Sequence, residues 1–354
     1  MTNKISIEPF RGDFEGLQAM AHSSWRDEYG IESFPDFYRP AFLRYLYDRI
    51  QDKRHFFGAY RGDEIIGFLA NLPQNFFYRK NKFRAVYSCL LVVRKEWLRR
   101  GLGTNIINEA IELNKELNYD FSLYGLESGH GSTHLIKKFI ESGNPVEVVK
   151  TFRVIARIVD FEKAVASEGL KYWEKAAIKG IRGHRLPQKN ELFQNRLREY
   201  KPEDIGSCLK LLNRYKDMVT LAMTWEPEEL SIELDYPDVS QTLVYEHEGQ
   251  VKGLINFILY DHLARTKERW AWINHVAYPE LTPKERAGFV RAFLHYIKEK
   301  GFLGSVEWTK NYYPMRPLYR SGFFPYFRSV RLVSWIFNPA VSLKNVRDVY
   351  ALQI

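Results

Sequence analysis

The residues with the most to offer chemically are Arg99-Arg100-Gly101-Leu102-Gly103-Thr104. An apolar, β-branched run from Val86 to Val93 leads into them. Ile106, Ile107, Ala110, Ile111, Leu113 and Leu117 follow at helical spacing. This reads as a strand, a tight basic turn and a helix. Such a turn aims backbone N–H groups and the positive end of the helix dipole at one point, and its glycines let a ligand approach the main chain without a Cβ in the way. The chemistry expected of it is the binding of phosphate or pyrophosphate. A dinucleotide fingerprint needs a third glycine after Gly103, and a P-loop needs Gly-Lys-Ser/Thr, so both patterns are excluded.

Groups for proton transfer are sparse nearby. Glu127 stands just past an apolar run from Asp120 to Leu126 that reads as the next strand, and His130 and His134 follow it. Cys89 sits inside the apolar run before the basic turn, where a small buried hydrophobe is expected rather than a reactive thiol. Cys208 is far away in sequence, and the two have no metal-ligand spacing, so no metal is expected.

The elements that must position these residues start at the N-terminus. Ile5 to Phe10 alternates as a strand, Asp13 caps a helix carrying Leu17, Met20, Ala21 and Trp25, and Pro40 opens a second helix. His55 to Tyr60 and Ile65 to Leu72 form a strand pair around Arg61-Gly62-Asp63-Glu64, and the ribbon runs on to Phe83. A loop and short helix from Gly129 to Ser142 ends at Gly143. Pro145 to Ile158 reads as two short strands and Phe161 to Ala177 as a helix. The basic, glycine-rich stretch Lys179 to Lys189 marks a domain boundary.

Length, composition and charge bound the rest. With 354 residues, 45% hydrophobic and 15% aromatic, the chain is expected to form two globular domains with cores of their own. No transmembrane-length apolar stretch or signal-peptide core stands out, so a soluble, cytoplasmic protein without membrane insertion is expected. A net charge of +9 suits CoA, an acidic acyl carrier protein or nucleic acid, and does not choose among them.

The loop and the order of elements around it resemble the GNAT acyltransferase superfamily. In that family an apolar strand runs into an Arg/Gln-x-x-Gly-x-Gly/Ala loop that holds acyl-CoA. The resemblance implies donor binding by Leu98, Arg99, Arg100, Gly101, Leu102, Gly103 and Thr104. Two departures stand out. Leu98 replaces the leading Arg or Gln, and Phe139 occupies the place of a Tyr that often protonates the leaving thiolate. The resemblance also implies a notch where the Asp120–Leu126 strand splays from its neighbour and takes the pantetheine arm.

The second half repeats the order. Leu197 begins a strand and helix entry, Val244 to Glu248 and Val251 to Leu259 form a ribbon, and Trp270 to Ala277 leads to a helix over Pro283 to Lys300. Pro317 to Phe323 is similar to the terminal GNAT helix and its turn, with Tyr319 at the acid's position, where packing or substrate contact is expected instead. Between Ala277 and Gly288 there is no Gly-x-Gly, so one CoA per chain is expected. The whole is similar to the tandem arrangement of the N-myristoyltransferases, which implies an α/β (α+β) fold of two tandem GNAT-like mixed-sheet domains, the second degenerate. The expected boundaries are 1–160 for the CoA-binding domain, 161–194 for a helical and basic linker, 195–340 for the acceptor-side domain and 341–354 for a tail. In that arrangement amides near Val92 and Val93 polarise the thioester carbonyl, Leu91 beside them belongs to the donor site, and a C-terminal carboxylate acts as base. Here that role falls on Ile354, with Glu127 as the side-chain candidate.

The function implied is transfer of an acyl group from acyl-CoA to a primary amine by direct attack on the thioester. Acetyl-CoA is the default donor, a longer acyl-CoA is the variant, and the acceptor is a small-molecule or peptide amine rather than nucleic acid. The alternatives are a tandem-GNAT aminoacyltransferase that draws its donor from tRNA, and a CoA-binding protein without turnover.

Overall fold

The computed structural model describes residues 4–29, 34–127, 131–180, 183–344 and 346–351. The chain enters on β1 (Ile5–Pro9) and α1 (Phe14–Tyr29), whose first turn Asp13 closes by accepting the Gly16 N–H at 2.9 Å. The short strand β2 (Phe34–Asp36) precedes α2 (Pro40–Arg49), where Pro40 stands in the first turn and its missing N–H costs nothing. Three strands follow, β3 (Phe56–Arg61), β4 (Glu64–Tyr78) and β5 (Asn81–Val93). Then come α3 (Leu102–Glu116), β6 (Phe121–Glu127) and α4 (Gly131–Glu141).

Two expectations are corrected here. The pair of short strands after Pro145 is one strand, β7 (Val146–Ile158), because no Gly, Pro or Asn interrupts its β-branched run. The single helix beyond Phe161 is divided into α5 (Phe161–Glu168) and α6 (Tyr172–Gly180), because Gly169 takes φ +62° and closes the first of them.

The second half runs through α7 (Glu191–Gln194), β8 (Leu197–Glu199), α8 (Ile205–Lys216), β9 (Leu221–Thr224) and α9 (Pro227–Leu234). The ribbon β10 (Ser240–His247) and β11 (Gln250–Leu263) turns through Glu248 and Gly249, both at positive φ, as a tight hairpin requires. The chain continues through β12 (Lys267–Ala277), α10 (Pro283–Glu299), β13 (Gly304–Trp308), α11 (Arg316–Arg320), β14 (Phe324–Ile336) and β15 (Val349–Tyr350).

Packing groups residues 1–31, 37–151 and 329–347 into one compact unit, and 32–36, 152–328 and 348–354 into a second. In the first, the strands lie in the order β1, β3, β4, β5, β6, β14. The β5–β6 pairing is parallel and the other pairings are antiparallel. Helix α3 is seated by two apolar stripes. Leu102, Ile106, Ala110 and Leu113 pack on Phe57, Ala59, Ile66 and Leu69, while Ile107 and Ile111 pack on Tyr124, Leu126, Ile136 and Phe139. Each fully buried Leu or Ile of this kind contributes about 1.5–3 kcal/mol. A buried polar chain also joins α3 to the sheet: Ser88 Oγ donates to Asn71 Oδ1 at 2.7 Å, and Asn71 Nδ2 donates to Asn114 Oδ1 at 2.7 Å. The N-terminus of α3 is thereby held at one place relative to β5.

In the second unit the order is β7, β13, β12, β11, β10, β8, with β2 added to β11. β12 and β13 are parallel. Helix α10 covers this sheet through Phe289 on Tyr245 and Phe293 on Phe257.

Candidate functional site

Strands β5 and β6 pair from Ala85 opposite Phe121 to Ser88 opposite Tyr124, and no further. β6 goes on through Gly125, Leu126 and Glu127 by pairing with β14 instead. Cys89 to Val93 therefore have no β6 partner, and a notch opens between the two strands. Its wall on the β5 side is irregular. Phe68 opposes Val92 and Ala70 opposes Cys89, so both Leu90 and Leu91 face the single residue Leu69. This is a β-bulge, with Leu90 at φ +57°, a conformation in which leucine is an outlier. A bulge leaves an amide outside the ladder, free to point at an oxygen in the notch. Val92 and Val93, whose amides are expected to polarise a carbonyl, pair with Phe68 and Gly67, and it is the neighbouring donor-site residue Leu91 that lies in this slip.

Beyond Val93 the chain makes a 3-10 turn over Lys95–Trp97, and the Leu98 N–H bonds the Lys95 carbonyl at 3.0 Å. Arg99 and Gly101 take positive φ. Gly101 is the N-cap of α3, it brings no side-chain cap, and a Cβ placed on it would meet nothing within 4 Å. Asn105 is the first residue whose N–H reaches a helical carbonyl, that of Gly101, at 2.9 Å. The N–H groups of Leu102, Gly103 and Thr104 thus form the open end of the helix, with its positive dipole. Arg99 and Arg100 are exposed, and among the described residues neither forms an ion pair, whereas nearby Arg94 pairs with Glu64. Arg100 lies over the Trp97 ring at 5.5 Å. Half-buried Leu98 adds no charge. Three N–H donors, two uncommitted guanidinium groups and open space above Gly101 fit a pyrophosphate.

The corresponding helix of the second unit is closed to such a ligand. Thr282 caps α10, and the Glu285 carboxylate reaches back to the Thr282 N–H at 3.0 Å and hydroxyl at 2.8 Å. An acidic side chain of the protein's own holds the positive helix end.

Of the expected proton-transfer residues, Glu127 borders the notch, His134 is placed on α4, and two lie outside the described residues. Glu127 ends β6 opposite Val330 and is half-buried, and its carbonyl accepts the Thr133 hydroxyl at 3.1 Å. His134 is exposed on α4, while His130 and Ile354 lie outside the described residues. Phe139 packs edge-on against Trp335 at 5.1 Å and belongs to the core. Tyr319 on α11 is exposed. Burial pushes the Cys89 thiol up to about 12, so it carries no thiolate near neutral pH and is unsuited to a covalent step. The bulge at Leu90 escaped the sequence, whose unbroken apolar run from Cys89 to Val93 gives no sign of an extra residue.

Residues 17–139 match the model of the acetyltransferase (GNAT) family. No curated protein sequence matches the chain. Two structures of Saccharomyces cerevisiae N-myristoyltransferase with bound myristoyl-CoA are similar at 15% identity. One has a TM-score of 0.75 over 94% of this chain and 82% of that one. The other has 0.76 over 98% and 85%. A GCN5-related N-acetyltransferase from Kribbella flavida is similar at 11% identity and a TM-score of 0.53, over 95% of this chain and 72% of that one. At these identities the likeness is one of fold.

Proposed function

From a chain that carries an acetyltransferase (GNAT) domain over residues 17–139 and shares the fold of the N-myristoyltransferases, we propose an N-acyltransferase acting on a primary amine, with acyl-CoA as donor. Acetyl-CoA is the default donor, and a longer acyl-CoA is the variant that the N-myristoyltransferase likeness keeps in play. One observation carries the reading: the bulge at Leu90 and Leu91, the notch beside it and the open N-terminus of α3 all lie at one end of β5.

The donor supplies a thioester whose carbonyl carbon accepts the amine. The N–H groups of Leu102, Gly103 and Thr104 hold its pyrophosphate, and Arg99 and Arg100 balance the charge. The bulge amide at Leu91 faces the carbonyl oxygen and stabilises the oxyanion formed on attack. With the Cys89 thiol neutral, the amine attacks the thioester directly. Glu127 takes the proton the amine gives up, directly or through water.

Calorimetry with CoA tests the reading. Micromolar-range binding that disappears in a folded Gly101→Val protein supports it, and unchanged affinity in that protein ends it. Mass spectrometry of the thioester that co-purifies with the chain then reads the acyl length.

A further inference from the structure

Tyr87 stands on β5 at the next-to-last rung before β5 and β6 part, opposite Leu123. The residue is 6% exposed, and its hydroxyl makes no hydrogen bond among the described residues and is not sealed from solvent. Two other buried tyrosines of the unit have partners. Tyr124 takes the Ser122 hydroxyl at 3.2 Å, and Tyr60 takes the Arg11 N–H at 2.9 Å.

The position of the hydroxyl gives it a purpose. A Cβ built on Gly125 would lie 2.7 Å from it, so the phenol head rests directly over that glycine. Gly125 is exposed and is the first β6 residue beyond the last rung shared with β5. The hydroxyl therefore stands at the vertex of the notch, and only a glycine there leaves room for it.

Building on the acyl-CoA reading above, we propose that the Tyr87 hydroxyl donates a hydrogen bond to the sulfur of the acyl donor at the vertex of the notch. Its role is to stabilise the charge that sulfur gathers as the carbon–sulfur bond breaks. The amine lone pair forms the new carbon–nitrogen bond and the carbonyl pair moves to oxygen. That pair then returns, and the carbon–sulfur pair leaves on sulfur. The proton lost by nitrogen goes to the base and is the one the free thiol finally carries, so the products are the amide and CoA. Tyr87 keeps its own proton throughout. Burial raises its pKa far above that of a thiol, which makes it a poor proton donor to a thiolate and a permanent hydrogen-bond donor. With Phe139 packed in the core, the donor to sulfur comes from a strand rather than from the following helix.

The test compares CoA with desulfo-CoA, which lacks the sulfur, by calorimetry at a pH where the CoA thiol is largely ionised. The wild-type chain should bind CoA roughly tenfold more tightly than desulfo-CoA, the range of a charge-assisted hydrogen bond. Tyr87→Phe should bind the two alike, with an undiminished melting temperature because only an unpaired hydroxyl is lost. Gly125→Ala, whose Cβ displaces the hydroxyl, should lose the same preference while Tyr87 remains. The bound thiol, followed by its thiolate absorbance, should ionise at lower pH in the wild type than in Tyr87→Phe. A sulfur preference that survives in folded Tyr87→Phe overturns the proposal and leaves the acyl-CoA reading standing. Failure of the wild-type chain to bind either compound overturns both.

Discussion

The hydroxyl of Tyr350 lies 2.7 Å from Nδ1 of His275, and both side chains are buried. His275 Nε2 lies 2.9 Å from the Glu233 carboxylate, which also accepts the Trp225 indole N–H at 3.1 Å. Tyr350 belongs to β15, which pairs with β9, and its ring stacks on Tyr312 at 3.8 Å. One tyrosine thus ties the last described strand to the interior of the second unit by a hydrogen bond and a stacked face. Tyr350→Phe keeps the stacking and strands a buried imidazole nitrogen, so it should cost about 1–3 kcal/mol. Tyr350→Ala also opens a cavity and should cost about 3–5 kcal/mol. Urea unfolding of the three proteins measures both, and equal stability of Tyr350→Phe and wild type would show that the hydrogen bond contributes nothing.

Gly101 is the second point at which a small change is expected to act sharply. Its φ of +83° costs a β-branched residue about 1–2 kcal/mol, but the space around its Cβ is open, so Gly101→Val should fold with a modest loss of melting temperature. The added side chain stands where an anion would meet the N–H groups of α3, and CoA affinity should fall by at least about tenfold, as expected when charge-assisted hydrogen bonds are lost. Replacing Arg99 and Arg100 together by Ala should instead weaken binding and reduce its dependence on ionic strength, since exposed charges act through a screened field. Titrations at low and high salt separate the two effects.

Much of this arrangement was legible in the sequence, for physical reasons that can be named. The strand, loop and helix around Gly101 have strong local signals: an apolar run, paired glycines and a helical repeat that the two stripes of α3 explain. What stayed hidden depends on register. Nothing local says that Leu90 and Leu91 share one partner, because a bulge is defined by the neighbouring strand. Likewise, Tyr87 reads as one more aromatic residue in a strand until Gly125 is placed beneath it. The helical pattern after Phe161 continued across Gly169 in the sequence, where the left-handed backbone in fact ends α5.

Acid sensitivity should centre on His55 in the first unit. It is buried, with Nε2 3.2 Å from the Tyr119 hydroxyl, and burial lowers its pKa to about 4, helped by Arg54 and Arg84 and opposed by Asp52. The folded pKa lies below the unfolded value of about 6.5, so the unfolded chain binds more protons between the two. The contribution to stability is complete above pH 6.5 and declines as pH falls toward 4, by roughly 2–3 kcal/mol. Replacing His55 with Gln should flatten the pH dependence across that window relative to wild type. Parallel slopes for the two proteins in urea unfolding at pH 4 to 7 would place the titrating group elsewhere.

The final expectation concerns stoichiometry and follows from comparing two helix ends. α3 begins at Gly101 with no side-chain cap, while α10 begins at Thr282 with the Glu285 carboxylate bonded back across its first turn. An incoming phosphate at α10 would have to displace that carboxylate and bear its repulsion. At α3 it meets open N–H groups and two arginines that, among the described residues, form no ion pair. Each chain should therefore bind one CoA, and Gly101→Val should remove that one rather than reduce two to one. Thr282→Ala should lower stability by about 1 kcal/mol through loss of the cap, with CoA affinity and stoichiometry unchanged. Calorimetry on these two variants and wild type decides the matter, because a second binding event in wild type, or one that survives in Gly101→Val, would mean that the end of α10 opens to an anion despite its own carboxylate.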